Sequence, residues 1–186
     1  MADDPLSDRR RSHEEDYFRK RDMELIERFR KAKAADQARL DIGAKMGLAD
    51  PALLAELQEL GFTPDTVTLV PLVPILETAW AEGGVSPAER ALIVDLARRR
   101  GVAAGSEADQ QLTAWLDRRP DAKVLSGAMR LIGAVLESGA RTEMTADELI
   151  KYCEDIAAAS GGIFGLGKVS ADERATLSRI AAALKK

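Results

Sequence analysis

Apolar positions recur at helical spacing along most of this chain, and recognisable start and stop signals divide them into segments. Ser12-His13-Glu14-Glu15 is a capping box, and neither proline nor glycine follows until Gly43. This predicts one helix to about Met46, of about 30 residues and roughly 45 Å. Its apolar stripe is thin: Phe18, Leu25, Phe29 and Ala32 fall in line, with Tyr17 and Ile26 beside them, and nearly everything else is charged. Such a helix cannot be buried all round. It either lies along a bundle on one narrow seam or projects toward a partner. Further on, Asp50-Pro51 opens a helix that Gly61 stops, and Thr63-Pro64 opens a helical turn through Val70. Pro71 and Pro74 fit the first turn of a helix 71–82. Helices 86–100, 106–119, 121–138 and 146–160 and a last one after Ser170 follow, each behind a polar cap or a proline. Leu112, Trp115 and Leu116 face inward on one of them, and a broad face from Val124 to Val135 does so on the next. No run argues for a strand.

Two of these segments are copies. Gly84-Val85-Ser86-Pro87-Ala88-Glu89-Arg90-Ala91 is echoed by Lys168-Val169-Ser170-Ala171-Asp172-Glu173-Arg174-Ala175. In each, serine caps the helix and glutamate at the third helical position reaches back to the cap. Ile93 and Leu96 exchange with Leu177 and Ile180, so both helices put the same stripe inward. The segments leading in, Ala79 to Gly84 and Ala157 to Gly162, also match, and the second copy adds six residues before its Val-Ser. The repeat reads as an αα-hairpin used twice. Trp80, at the end of the first lead-in, reads as a core anchor. The expected fold is all-α: a compact bundle of about seven helices over residues 50–186, a charged helical arm over 12–47, and a disordered tail over 1–11 ending in Arg9-Arg10-Arg11.

Composition sharpens this picture. Apolar residues make up 46% of the 186, with few aromatics, which favours helices over sheets. The net charge of −4 argues against a general nucleic-acid binder. The N-terminus has no basic and apolar leader, and the longest apolar run, Leu69 to Leu76, is too short to span a bilayer. A soluble cytoplasmic protein is expected. Cys153 stands alone and reads as an inert half-buried thiol.

Little chemistry emerges. Gly162-Ile163-Phe164-Gly165-Leu166-Gly167-Lys168 has the phosphate-loop spacing, but Val169 stands where a hydroxyl should meet Mg²⁺ and a helix precedes it. The preferred reading is a loop tucking Ile163, Phe164 and Leu166 onto the bundle. His13 and Cys153 cannot make a zinc site, and Glu77, Glu82, Glu89, Asp172 and Glu173 lack the spacing of a calcium loop. Glu82 and Glu89 at the first hairpin turn are the candidates for a weak Mg²⁺ or Ca²⁺ site, against the commoner reading of helix-start acids. No nucleophile and base are paired, so a non-enzyme is expected, with no cofactor beyond such an ion.

Two resemblances follow from these residues. Ala79-Trp80-Ala81-Glu82-Gly83-Gly84-Val85-Ser86-Pro87-Ala88-Glu89-Arg90 resembles the signature of TerB-like helical domains, with Glu82 where that family more often has Asp. The resemblance covers residues 50–186. It implies an all-α bundle, stress-related contexts such as tellurite resistance, and association with metal ions, without an established catalytic activity. Residues 14–31, Glu14-Glu15-Asp16-Tyr17-Phe18-Arg19 through Arg28-Phe29-Arg30-Lys31, are similar to the inhibitory helix of the mitochondrial ATP synthase inhibitor protein. That similarity implies docking contacts from Tyr17, Phe18 and Arg19, continued by Glu24, Ile26, Phe29 and Arg30. The His-rich section of that family is missing, the bundle replaces its coiled-coil tail, and Gly43 and Gly47 are expected to interrupt the helix. Whatever its ancestry, the arm has the form of a helix-in-groove ligand, and protein binding is the expected function. Inhibition of a rotary ATPase and sensing of divalent-metal or tellurite stress are the alternatives.

Overall fold

A computed structural model describes the backbone of residues 5–137, 145–160 and 169–184, with side chains from Glu15 onward other than that of Ser160. Among these residues every regular element is helical and there is no strand. The chain divides into two compact units, Met1–Leu40 and Asp41–Lys186.

The first unit is the body of α1 (Pro5–Met46). The helix begins upstream of Ser12, so residues 5–11 are helical rather than a disordered tail. Proline suits a first helical position, and the Arg9–Arg11 run consists of good helix formers. The capping box at Ser12 is therefore inside a helix that has already started. Local ion pairs line α1: Arg19 with Asp16, Lys31 with Glu27 at 2.9 Å, and Arg39 with Asp36 at 3.3 Å.

In the second unit, the end of α1 and two later helices close in the same way. Gly47, Gly61 and Gly101 adopt positive φ, where a Cβ is unfavourable. The next residue turns back: Leu48 N–H donates to the Gly43 carbonyl at 2.9 Å, Phe62 to Leu57 at 3.0 Å and Val102 to Ala97 at 3.0 Å. Leu48, Phe62 and Val102 are all buried, so each closure also pins an apolar side chain in the core. Gly43 does not interrupt α1. It lies under the returning chain, where an added Cβ would fall 2.7 Å from the Leu48 carbonyl oxygen.

Helix α2 (Pro51–Glu59) starts as expected, with Asp50 accepting from Ala52 N–H at 2.8 Å. The next stretch differs. Val67–Leu72 is a 3-10 helix with Pro71 inside it, and α3 (Val73–Ala79) begins later than expected, with Pro74 in its first turn. Two prolines three residues apart cannot share one first turn, so the tighter helix absorbs the earlier one. Every residue of α3 is buried. Around it are α4 (Pro87–Arg99), α6 (Ala122–Glu137), α7 (Ala146–Ser160) and α8 (Ala171–Leu184), all of which it contacts. Helix α7 also packs on α4 and α8, while α5 (Glu107–Asp117) lies against the 3-10 helix. The two hairpins are thus α3–α4 and α7–α8, interlocked through α3 and α7. The segment 161–168 between α7 and α8, with Ile163, Phe164 and Leu166, is outside the described residues. No helix among the described residues is long and apolar enough to cross a membrane.

Gly43→Ala drives its Cβ into a backbone carbonyl and should cost about 1–3 kcal/mol. Gly84→Ala meets open space and serves as the control. Urea unfolding of both variants measures the difference.

Candidate functional site

The arm and the hairpin turn are the two places where the sequence puts functional residues. On the arm, every described side chain from Glu15 to Gln37 is exposed. Tyr17 and Phe18 are each 59% exposed, Ile26 50% and Phe29 71%, which is unusual for side chains of this size. Tyr17 and Phe18 meet edge to face, ring centres 5.8 Å apart, and Arg21 donates to the Tyr17 hydroxyl at 3.2 Å. Within its own unit this helix has no second element against which to bury the stripe.

Helical geometry also divides the predicted set. At roughly 100° per residue, Phe18 and Phe29 share the centre of the stripe. Arg19, Ile26 and Arg30 flank it on one side, and Tyr17 and Glu24 on the other. A groove that holds Phe18 and Phe29 at its floor therefore meets Arg19 and Arg30 on one wall and Tyr17 on the opposite wall.

At the hairpins, both expected capping boxes are complete. Ser86 N–H donates to Glu89 Oε2 at 2.7 Å, and Glu89 N–H donates to Ser86 Oγ at 3.3 Å. Ser170 N–H donates to Glu173 Oε2 at 2.7 Å, and Glu173 N–H donates to Ser170 Oγ at 3.1 Å. Thr145 and Glu148 form a third box on the surface. The two repeated glutamates are different in kind from Glu148, for Glu89 is 2% and Glu173 1% exposed. Burial pushes the Glu89 carboxyl above its ordinary value, and the neighbouring charges of Glu173 and Glu82 add to this against the two Ser86 hydrogen bonds. Glu148, whose carboxylate accepts from the Thr145 N–H and hydroxyl, is held below its ordinary value.

This arrangement bears on metal binding. Glu82 is exposed and Glu89 buried, and the Glu89 carboxylate is already engaged by Ser86. Among the described residues, no group of three or more His, Cys, Asp or Glu side chains is placed to hold an ion. Glu77, a third buried acid, is neutralised by Arg179 of α8 at 2.9 Å. Cys153 is buried and its thiol is pushed up to about 12, chiefly by burial, which leaves it unreactive at neutral pH. Trp80 is half-buried and donates its indole N–H to the Trp115 carbonyl at 2.9 Å, tying the end of α3 to α5. The Glu77–Arg179 pair and the burial of both capping glutamates were not evident from residue types. The only sequence signal for the latter was their equivalence in the repeat.

Comparison with known proteins finds no matching family, no matching curated protein and no matching solved structure.

Because its carboxyl is raised above the ordinary 4.5, Glu89 holds its proton more tightly in the folded chain than in the unfolded one. Its contribution is full at low pH and is lost as pH rises through the folded value. Glu89→Gln keeps an acceptor for Ser86 N–H but has no charge to bury. Its stability should therefore fall less than that of the wild type between about pH 4 and 8, as read by urea unfolding. Glu89→Ala, which leaves that N–H without its acceptor, should cost about 1–2 kcal/mol throughout.

Proposed function

We propose that this is a non-enzymatic cytoplasmic protein that acts by binding another protein, with α1 as its recognition element and the TerB-like bundle as its scaffold. The observation that supports this reading is the row of exposed Phe18, Leu25 and Phe29, with Tyr17 and Ile26 beside it, on an unbroken helix. Exposed aromatic anchors flanked by charges are how an amphipathic helix enters a partner's groove. Stress response is the context that the TerB resemblance brings to this proposal.

A second reading is inhibition of a rotary ATP synthase through the same helix. It is favoured by the continuity of α1 across residues 14–31, the whole of the segment that carries the similarity. Added to a rotary ATPase preparation from the native host, the protein should then lower ATP hydrolysis, and Phe18→Ala should relieve the inhibition.

The proposal is tested with the Tyr17→Ala/Phe18→Ala/Phe29→Ala variant. Since these side chains are exposed, its melting should match the wild type, within about 0.5 kcal/mol. A pull-down from host lysate should lose the partner. Unchanged capture by a folded variant would remove the arm from the proposal.

A further inference from the structure

The rotational order of charges on α1 says more about what it fits. Around the Phe18–Leu25–Phe29–Ala32 stripe, Arg19, Arg30 and Lys33 border one side, together with Glu15, and Arg21, Arg28 and Arg39 border the other. The acids Asp16 and Glu27 lie on the opposite face, and Glu24 flanks the stripe beside Arg28. Along each edge of the apolar stripe the basic residues therefore outnumber the acids, Glu15 on one side and Glu24 on the other, although the arm as a whole is nearly balanced. Asp22 interrupts the stripe between Phe18 and Phe29.

We propose that α1 docks in a protein groove with an apolar floor and a rim of aspartate and glutamate side chains, with one hydrogen-bond donor set in the floor opposite Asp22. This rests on the recognition reading above and adds the chemistry of the partner. Charge complementarity selects this occupant. A second copy of α1 is a poor one, because either orientation would bring arginine borders together and enclose Asp22 from both sides. An anionic membrane is disfavoured because Asp22 and Asp36 point the same way as Phe18 and Phe29 and would enter the acyl boundary with them. The existing ion pairs of Arg19 and Arg39 are exposed and exchange readily for a partner's carboxylates.

The experiment places a photo-crosslinking benzoylphenylalanine at Leu25 of the full chain in the native host and maps the captured peptide on the partner. Affinity is then measured with that partner, purified, for three variants checked for helicity by circular dichroism. Reversal of the border, Arg19→Glu/Arg21→Glu/Arg28→Glu/Arg30→Glu, should weaken binding by roughly 100-fold or more. Reversal of the far face, Lys20→Glu/Lys31→Glu, should change it less than about threefold. Phe18→Ala/Phe29→Ala should abolish it. The captured peptide should lie in an apolar cleft edged by acids, and wild-type affinity should fall with added salt, a readout that holds even if the border variant unfolds.

Loss with the alanine pair but indifference to border reversal and salt would overturn the acidic rim and leave the recognition reading standing. Full binding by the alanine pair would sink both. A crosslink to a second copy of this chain overturns the proposal, as does the lack of any crosslinked protein. So does sedimentation with phosphatidylserine vesicles that is lost on border reversal.

Discussion

The enclosure of α3 on every side is the constraint from which the bundle follows. A helix of seven residues has no stability of its own in water. It persists because α4, α6, α7 and α8 cover it, and they are held in turn by the apolar surface it offers them. Enclosure also forces Glu77 inside, where an uncompensated carboxylate would be costly. Arg179 answers it from α8 while its own side chain stays largely exposed. The last helix is thereby tied to the central one by charge as well as by packing.

The arm is stabilised by other means. From Glu15 to Gln37 none of its side chains is buried, and its support there comes from short-range pairs one turn apart and from residues that favour the helical conformation. Such pairs contribute little each, so helix content here responds to salt and temperature more than it does in the bundle. A segment of this kind is suited to exchanging surface charges for those of a binding site, because little of its own structure is lost in the exchange.

Much of the fold could be read from local signals. The serines and threonine that cap α4, α5, α7 and α8 mark those starts, since a cap is a property of four adjacent residues and needs no tertiary context. The glycine stops after α1, α2 and α4 are equally local. What could not be read depended on distant neighbours. Whether Pro71 continues a helix or sits in a 3-10 turn is decided by how the enclosed core takes up Leu69, Val70 and Leu72. Ser12 reads as a cap from its own side chain, but the helix upstream of it overrides the signal. Glu89 and Glu148 occupy identical positions in their boxes. The tertiary surroundings distinguish them: Glu89 is buried with Glu173 and Glu82 nearby, and Glu148 is solvated. At the arm, residue types indicated the anchors, but their distribution into a floor and two walls comes from the geometry of a continuous helix.

The state of Cys153 has a practical consequence. The chain carries a single sulfhydryl, shielded from solvent and almost wholly protonated at neutral pH. Maleimide reagents should pass it by while the bundle is folded, so a cysteine introduced anywhere on the exposed surface would be the one group they modify. The natural chain is thus ready for site-specific dyes or spin labels without a background-removing substitution, and late labelling at Cys153 itself would report that the bundle has opened.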